Sequence, residues 1–113
     1  MKLKPETRIR RACNRAIKDG YKITQGEWGV MLDIAQRYKV IAASPTKLLC
    51  PLGALILGGH IPDLDFASAA ARKLGVSVSW VNEFGVTFDG GVDSLLPNEA
   101  ATVAKLMIEE YIK

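Results

Sequence analysis

The sequence predicts a mainly helical α+β fold, with four to five helices around one core and a short β-hairpin packed at one side. Three observations carry this. Over most of the chain apolar residues recur three and four positions apart, in segments that open at proline, aspartate, serine or asparagine and close at glycine, as amphipathic helices and their caps do. Between residues 28 and 41 the period falls to two, as in a half-buried strand. The chain has 113 residues, 49% of them apolar and 24% charged, which suits one core and a single domain over residues 1–113.

The first helix is expected at about residues 5–19, with Pro5 near its start and Gly20 just past its end. Ile9, Ala12, Cys13, Ala16 and Ile17 make its apolar face, and Arg8, Arg11, Arg15 and Lys18 stack on its far side at three- and four-residue spacing. Next, Trp28, Val30, Leu32 and Ile34 alternate and Tyr38-Lys39-Val40-Ile41 suits a second strand, so a hairpin is expected here. A helix remains the alternative, because Thr24 and Glu27 can form a capping box ahead of Trp28, Met31, Leu32, Ala35 and Tyr38. Gly26 and Gly29 oppose it, each costing a helix about 1 kcal/mol relative to alanine.

Pro51 suits the first turn of a helix capped near Cys50 and running from Leu52 to Leu57. Leucines and isoleucine all round its axis make it central, Gly53 permits close approach by a neighbour, and Gly58-Gly59 stops it. Asp63 or Asp65 caps a helix through Phe66, Ala70, Ala71 and Leu74 that ends at Gly75, and Ser77 caps another that buries Trp80, Val81, Phe84 and Phe88. Asn98 opens the last helix, burying Ala100, Val103, Ala104, Met107, Ile108 and Tyr111.

Within residues 66–88, the run Ala70-Ala71-Arg72-Lys73-Leu74-Gly75-Val76-Ser77-Val78-Ser79-Trp80-Val81-Asn82-Glu83-Phe84 resembles the helix-turn-helix of DNA-binding regulators. Ala71 lets two helices approach, Gly75 makes the turn, and Leu74, Val76, Val81 and Phe84 fill the angle between them. The resemblance implies base contacts from Ser79 and Asn82. Glu83 on the same helix repels phosphate, and no Arg or Lys lies on the outward side of that helix. A second resemblance rests on Cys50-Pro51-Leu52-Gly53-Ala54-Leu55, the Leu74-Gly75 turn, and Trp80 to Phe88-Asp89-Gly90, which together look like small bacterial and phage proteins of uncharacterised function. It implies a compact helical fold and brings no catalytic residue.

Charge is uneven. Of a formal net +3, residues 1–22 hold +6, with eight basic and two acidic side chains. Such asymmetry marks a surface for phosphate or an acidic partner, or simply a solvated helix face. No apolar stretch follows the basic amino terminus as a secretory leader requires, and none elsewhere reaches the roughly 18–20 residues of a membrane span. The cytoplasm is the expected location, with Cys13 and Cys50 as buried thiols.

Chemistry finds little material. Cys50, His60, Asp63 and Asp65 fall within 16 residues and invite a cysteine-nucleophile reading, which the apolar neighbours Leu48, Leu49 and Leu52 oppose. Cys13, Cys50 and His60 are the only Cys or His residues, one short of a typical zinc set. Asp89-Gly90-Gly91-Val92-Asp93 lacks the alternating donors of a calcium loop. No enzyme activity, metal or cofactor is therefore expected. The expected role is a small binding or regulatory protein whose contact surface is Arg8, Arg11, Arg15 and Lys18, with a protein partner favoured, nucleic acid second and no membrane. A helix-turn-helix regulator is the alternative, and a cysteine enzyme a remote third.

Overall fold

The computed structural model describes residues 3–33, 40–60, 65–90 and 98–112. Their order is α1 (Pro5–Lys18), β1 (Lys22–Ile23), β2 (Val30–Asp33), β3 (Val40–Ala43), β4 (Leu48–Leu49), α2 (Pro51–Ile56), α3 (Phe66–Leu74), α4 (Val78–Phe88) and α5 (Glu99–Tyr111). The fold is mainly helical α+β, as the sequence predicts, and the helix alternative for the segment after Gly26 is set aside. None of the described helices is long and apolar enough to cross a membrane.

The helices pack in sequence, α1 on α2, α2 on α3, α3 on α4 and α4 on α5. The end of α5 returns to α1, where the Tyr111 hydroxyl donates to Asn14 Oδ1 at 2.8 Å. At the centre sits α2, whose Leu52, Leu55 and Ile56 are buried; each is worth about 1.5–3 kcal/mol over exposure. The α4–α5 side is built on an aromatic ladder, Trp80, Phe84 and Phe88 one turn apart with centroids 5.8 and 5.9 Å apart and rings nearly parallel.

Two glycines explain why residues 28–43 fold as a hairpin against α2. A side chain at Gly53 would overlap the Trp28 carbonyl, and one at Gly29, where φ is 72°, would overlap the Leu48 carbonyl. Backbone thus meets backbone on both sides of Trp28, and the Cys50 amide donates to the Trp28 carbonyl at 3.2 Å. Gly53 does admit a close neighbour, as expected, and that neighbour is the backbone at Trp28. The same contact shortens the hairpin: β2 begins at Val30, two residues later than the alternation suggests, because Trp28 and Gly29 are committed to α2 and β4. Its partner β3 ends at Ala43 and pairs antiparallel, Val30 opposite Ala43 through Asp33 opposite Val40. The expected strand residues Ile34, Tyr38 and Lys39 lie outside the described residues.

Three further corrections follow. A parallel pair, β1 with β4, joins Lys22–Ile23 to Leu48–Leu49 and was not expected. Ile17 leaves the core and is 47% exposed; it sits about a quarter-turn from the line through Ile9 and Ala16, and the chain turns away there, with Tyr21 N–H bonded to the Ala16 carbonyl. Ile108 and Tyr111 are half-buried rather than buried, since α5 ends at the surface, where the Tyr111 hydroxyl needs its polar partner on α1.

Candidate functional site

The outward face of α1 is the most distinctive surface. At 100° per residue, positions 8, 11, 15 and 18 fall within an arc of about 80° and extend over about 15 Å of helix. Arg11, Arg15 and Lys18 are exposed and Arg8 is half-buried, while Ile9, Ala12, Cys13 and Ala16 on the other side are buried. Among the described residues none of the four cations has an ion-pair partner. Arg10, on the flank of the same helix, behaves differently: Glu6 lies 3.0 Å from its Nη2 and Glu110 of α5 lies 3.3 Å from its Nε. Arg10 therefore pairs with acids on α1 and α5, and the stripe does not. Lys4, the exposed N-cap residue, continues the ridge four positions before Arg8 and is missing from the stripe as read from the sequence. Arg15 and Lys18 also lie in the last turn, where positive charge favours the helix dipole.

The segment resembling a helix-turn-helix consists of α3, the connection Gly75-Val76-Ser77, and α4. Asp65 caps α3 through the Ser68 amide, Gly75 ends it at φ 71°, and the Ser77 hydroxyl accepts the Trp80 amide to start α4. Ala71, Leu74, Val81 and Phe84 are buried and Val76 is half-buried between the helices. Ser79 and Asn82 are exposed on α4, together with Val78 and Val86. Glu83 differs from expectation, being half-buried and accepting a bond from Asn98 Nδ2 at 3.3 Å, so its carboxylate is anchored to the start of α5. Arg72 and Lys73, exposed on the last turn of α3, add positive charge that a reading confined to the second helix misses. They rim a shallow groove of about 350 Å³ floored by Ile41, Ile56 and Ala69.

Cys50 is not placed as a nucleophile. Its Sγ accepts the Gly53 amide at 3.2 Å as the cap of α2, and burial pushes its thiol up to about 11. Cys13, also buried, is pushed up to about 12 for the same reason, with Cys50 nearby adding to the rise. Both thiols stay protonated at neutral pH, the opposite of what attack requires. Asp65 is occupied in capping α3, His60 is exposed where it bridges Val40, and Asp63 lies outside the described residues. Among the described residues no three His, Cys, Asp or Glu side chains come together as metal ligands. Asp89, from the glycine-bearing loop, accepts the Gly26 amide at 2.9 Å, and residues 91–97 lie outside the described set.

Comparison with protein-family models, with curated proteins and with solved structures finds no match to this chain.

Proposed function

We propose that this chain is a small non-enzymatic binding protein that docks an acidic surface of a protein partner on the outward face of α1, through Arg8, Arg11, Arg15 and Lys18, with Lys4 extending the contact. The supporting observation is the contrast on one helix: Arg10 is paired with Glu6 and Glu110, whereas the stripe has no ion partner among the described residues. Beyond the helix-dipole effect at Arg15 and Lys18, charges without an ion-pair partner contribute little to fold stability, yet these four stand within one arc at a spacing of about one turn. Such a surface speeds and orients encounter with an opposite charge. Affinity capture from the native host with the unaltered chain, and with Arg8, Arg11 and Arg15 each changed to Glu, tests this. One reproducible partner, lost on reversal and weakened by salt, is the expected outcome. The same partner held equally by the reversed chain removes the stripe from the reading.

A second reading, a DNA-binding regulator, draws support from α3 and α4, where the Gly75 turn and the buried Ala71, Leu74, Val81 and Phe84 coincide with positions the helix-turn-helix resemblance implies. Ser79 and Asn82 then face base edges, and Arg72, Lys73 and the stripe offer phosphate contacts. Duplex DNA affinity would fall steeply with salt, and changing Arg11 and Arg15 to Ala would lower the log–log slope by about two. Absence of binding at low ionic strength excludes it.

A further inference from the structure

Among the described residues, the β2–β3 hairpin is hydrogen-bonded along its β3 edge and not along its β2 edge. In an antiparallel ladder, opposed residues alternate between pairs that exchange hydrogen bonds and pairs that do not. One bond sets the phase: the Ser44 amide donates to the Gly29 carbonyl at 2.9 Å, directly across the register. Gly29–Ser44 and Met31–Ala42 are therefore bonded pairs, and the N–H and C=O of Val30 and Leu32 point away from β3. The other edge agrees with this phase. Ile41, opposite Leu32, turns its own groups outward, donating to Gly59 at 2.9 Å and accepting from Gly58 at 2.8 Å. So β3 is bonded on both sides and β2 on one. Among the described residues no hydrogen bond reaches the outward groups of Val30 or Leu32.

We infer that β2 is a dimerisation edge whose occupant is β2 of a second copy of this chain, running antiparallel about a two-fold axis through Met31. The open groups are arranged for this. Val30 and Leu32 flank Met31 symmetrically, so an inverted copy sets each Val30 against the other chain's Leu32, and both pairs meet through their outward groups, giving four hydrogen bonds. The ladder stops beyond Gly29, because the Trp28 carbonyl is already bonded to Cys50. Met31 falls on the axis in a non-bonded pair, where Cα atoms approach to about 4.5 Å. Its side chain is 49% exposed, and the two copies cover one another. Val30-Met31-Leu32 also carries none of the lysine, proline or bulge devices that guard an edge strand against its own kind.

The paired segment is short, which places the contact among small, weak interfaces whose occupancy follows concentration. Sedimentation of the full chain from about 10 µM to 1 mM is expected to show a rise toward twice the single-chain mass of 12.3 kDa. Met31→Glu, which sets two carboxylates face to face at the axis, returns a monomer with an unchanged far-UV spectrum. Under mild oxidation Met31→Cys gives a cross-linked dimer, since a pair at that separation meets disulfide geometry. Leu106→Cys on α5, a site 42% exposed in the native chain, gives none. A monomer at 1 mM, a dimer that survives Met31→Glu with its fold intact, or failure of Met31→Cys to cross-link each overturns the inference. An edge that serves a foreign extended peptide instead gives the first of these results. Reversal of charge on α1 leaves the dimer in place.

Discussion

Helices α1 and α4 bury similar faces and turn different chemistry outward. On α1 the buried side is Ile9, Ala12, Cys13 and Ala16 and the outward side is a row of cations. On α4 the buried side is Val81, Phe84, Thr87 and Phe88, and the outward side is Val78, Ser79, Asn82 and Val86, without charge. The acid of α4, Glu83, is drawn in toward Asn98, and the paired base of α1, Arg10, is drawn in toward Glu110. What remains exposed is the part the fold does not use. That leftover is strongly positive on α1 and nearly neutral on α4.

Substitutions on the inward faces of α1 and α4 carry the largest expected effects. Phe84→Ala removes the middle ring of the aromatic ladder and is expected to cost about 3–5 kcal/mol; Ile9→Ala in α1 costs about 2–5 kcal/mol, both read from urea unfolding midpoints. Thr87, on the same inward face of α4, responds with the opposite sign. Among the described residues its hydroxyl is buried without a hydrogen-bond partner, so Thr87→Val, nearly the same shape, is expected to raise stability by about 1 kcal/mol. A loss of stability there would mean the hydroxyl has a partner, such as a buried water. The outward faces respond in another currency: Arg11→Ala with Arg15→Ala shifts stability by no more than about 0.5 kcal/mol while changing salt-dependent binding. A large loss of stability from that pair would reassign the stripe to the fold.

Much of this arrangement is legible in the sequence where a single element decides it. The caps at Ser77 and Asn98 and the stop at Gly75 follow from local backbone needs and act as expected, and of the two aspartates that could cap α3 it is Asp65 that does. The α1 stripe follows from spacing alone. What escapes is whatever depends on distant neighbours. The β1–β4 pair has two residues on each side, too few to show a period, and exists because the loop after α1 meets the run before α2. Of the two acids that distinguish Arg10 from Arg11, Glu6 lies four positions before it and Glu110 a hundred residues away along the chain, beyond the reach of spacing. Alternation favours a hairpin over a capping box, but it does not reveal that Gly29 and Gly53 press Trp28 between α2 and β4 and so shorten the strand. Nor does it reveal which edge of that hairpin stays open, since that depends on Gly58 and Gly59 occupying the other.

The smallest expected effect separates α3 from α4 by pH. The two helices start on the same device, a side-chain oxygen accepting an amide three residues on, but Asp65 supplies it for α3 and Ser77 for α4. The Ser68 hydroxyl, and then the Ser68 amide, hold the Asp65 carboxyl below its ordinary range of about 3.8. A carboxyl whose folded value is lowered adds stability above its unfolded value and loses it as the pH falls through the folded one. Protonation also removes the charge that favours the positive end of the helix. Acid should therefore loosen α3 slightly before α4, beginning as the pH falls past about 4, and amide exchange at Ser68 and Ala69 should report it ahead of exchange at Trp80. Asp65→Asn keeps a capping oxygen and has no proton to gain, so it should abolish that lead without changing exchange at neutral pH. If the order of loosening is the same in the Asn variant, the acid response of this pair of helices originates somewhere other than the cap.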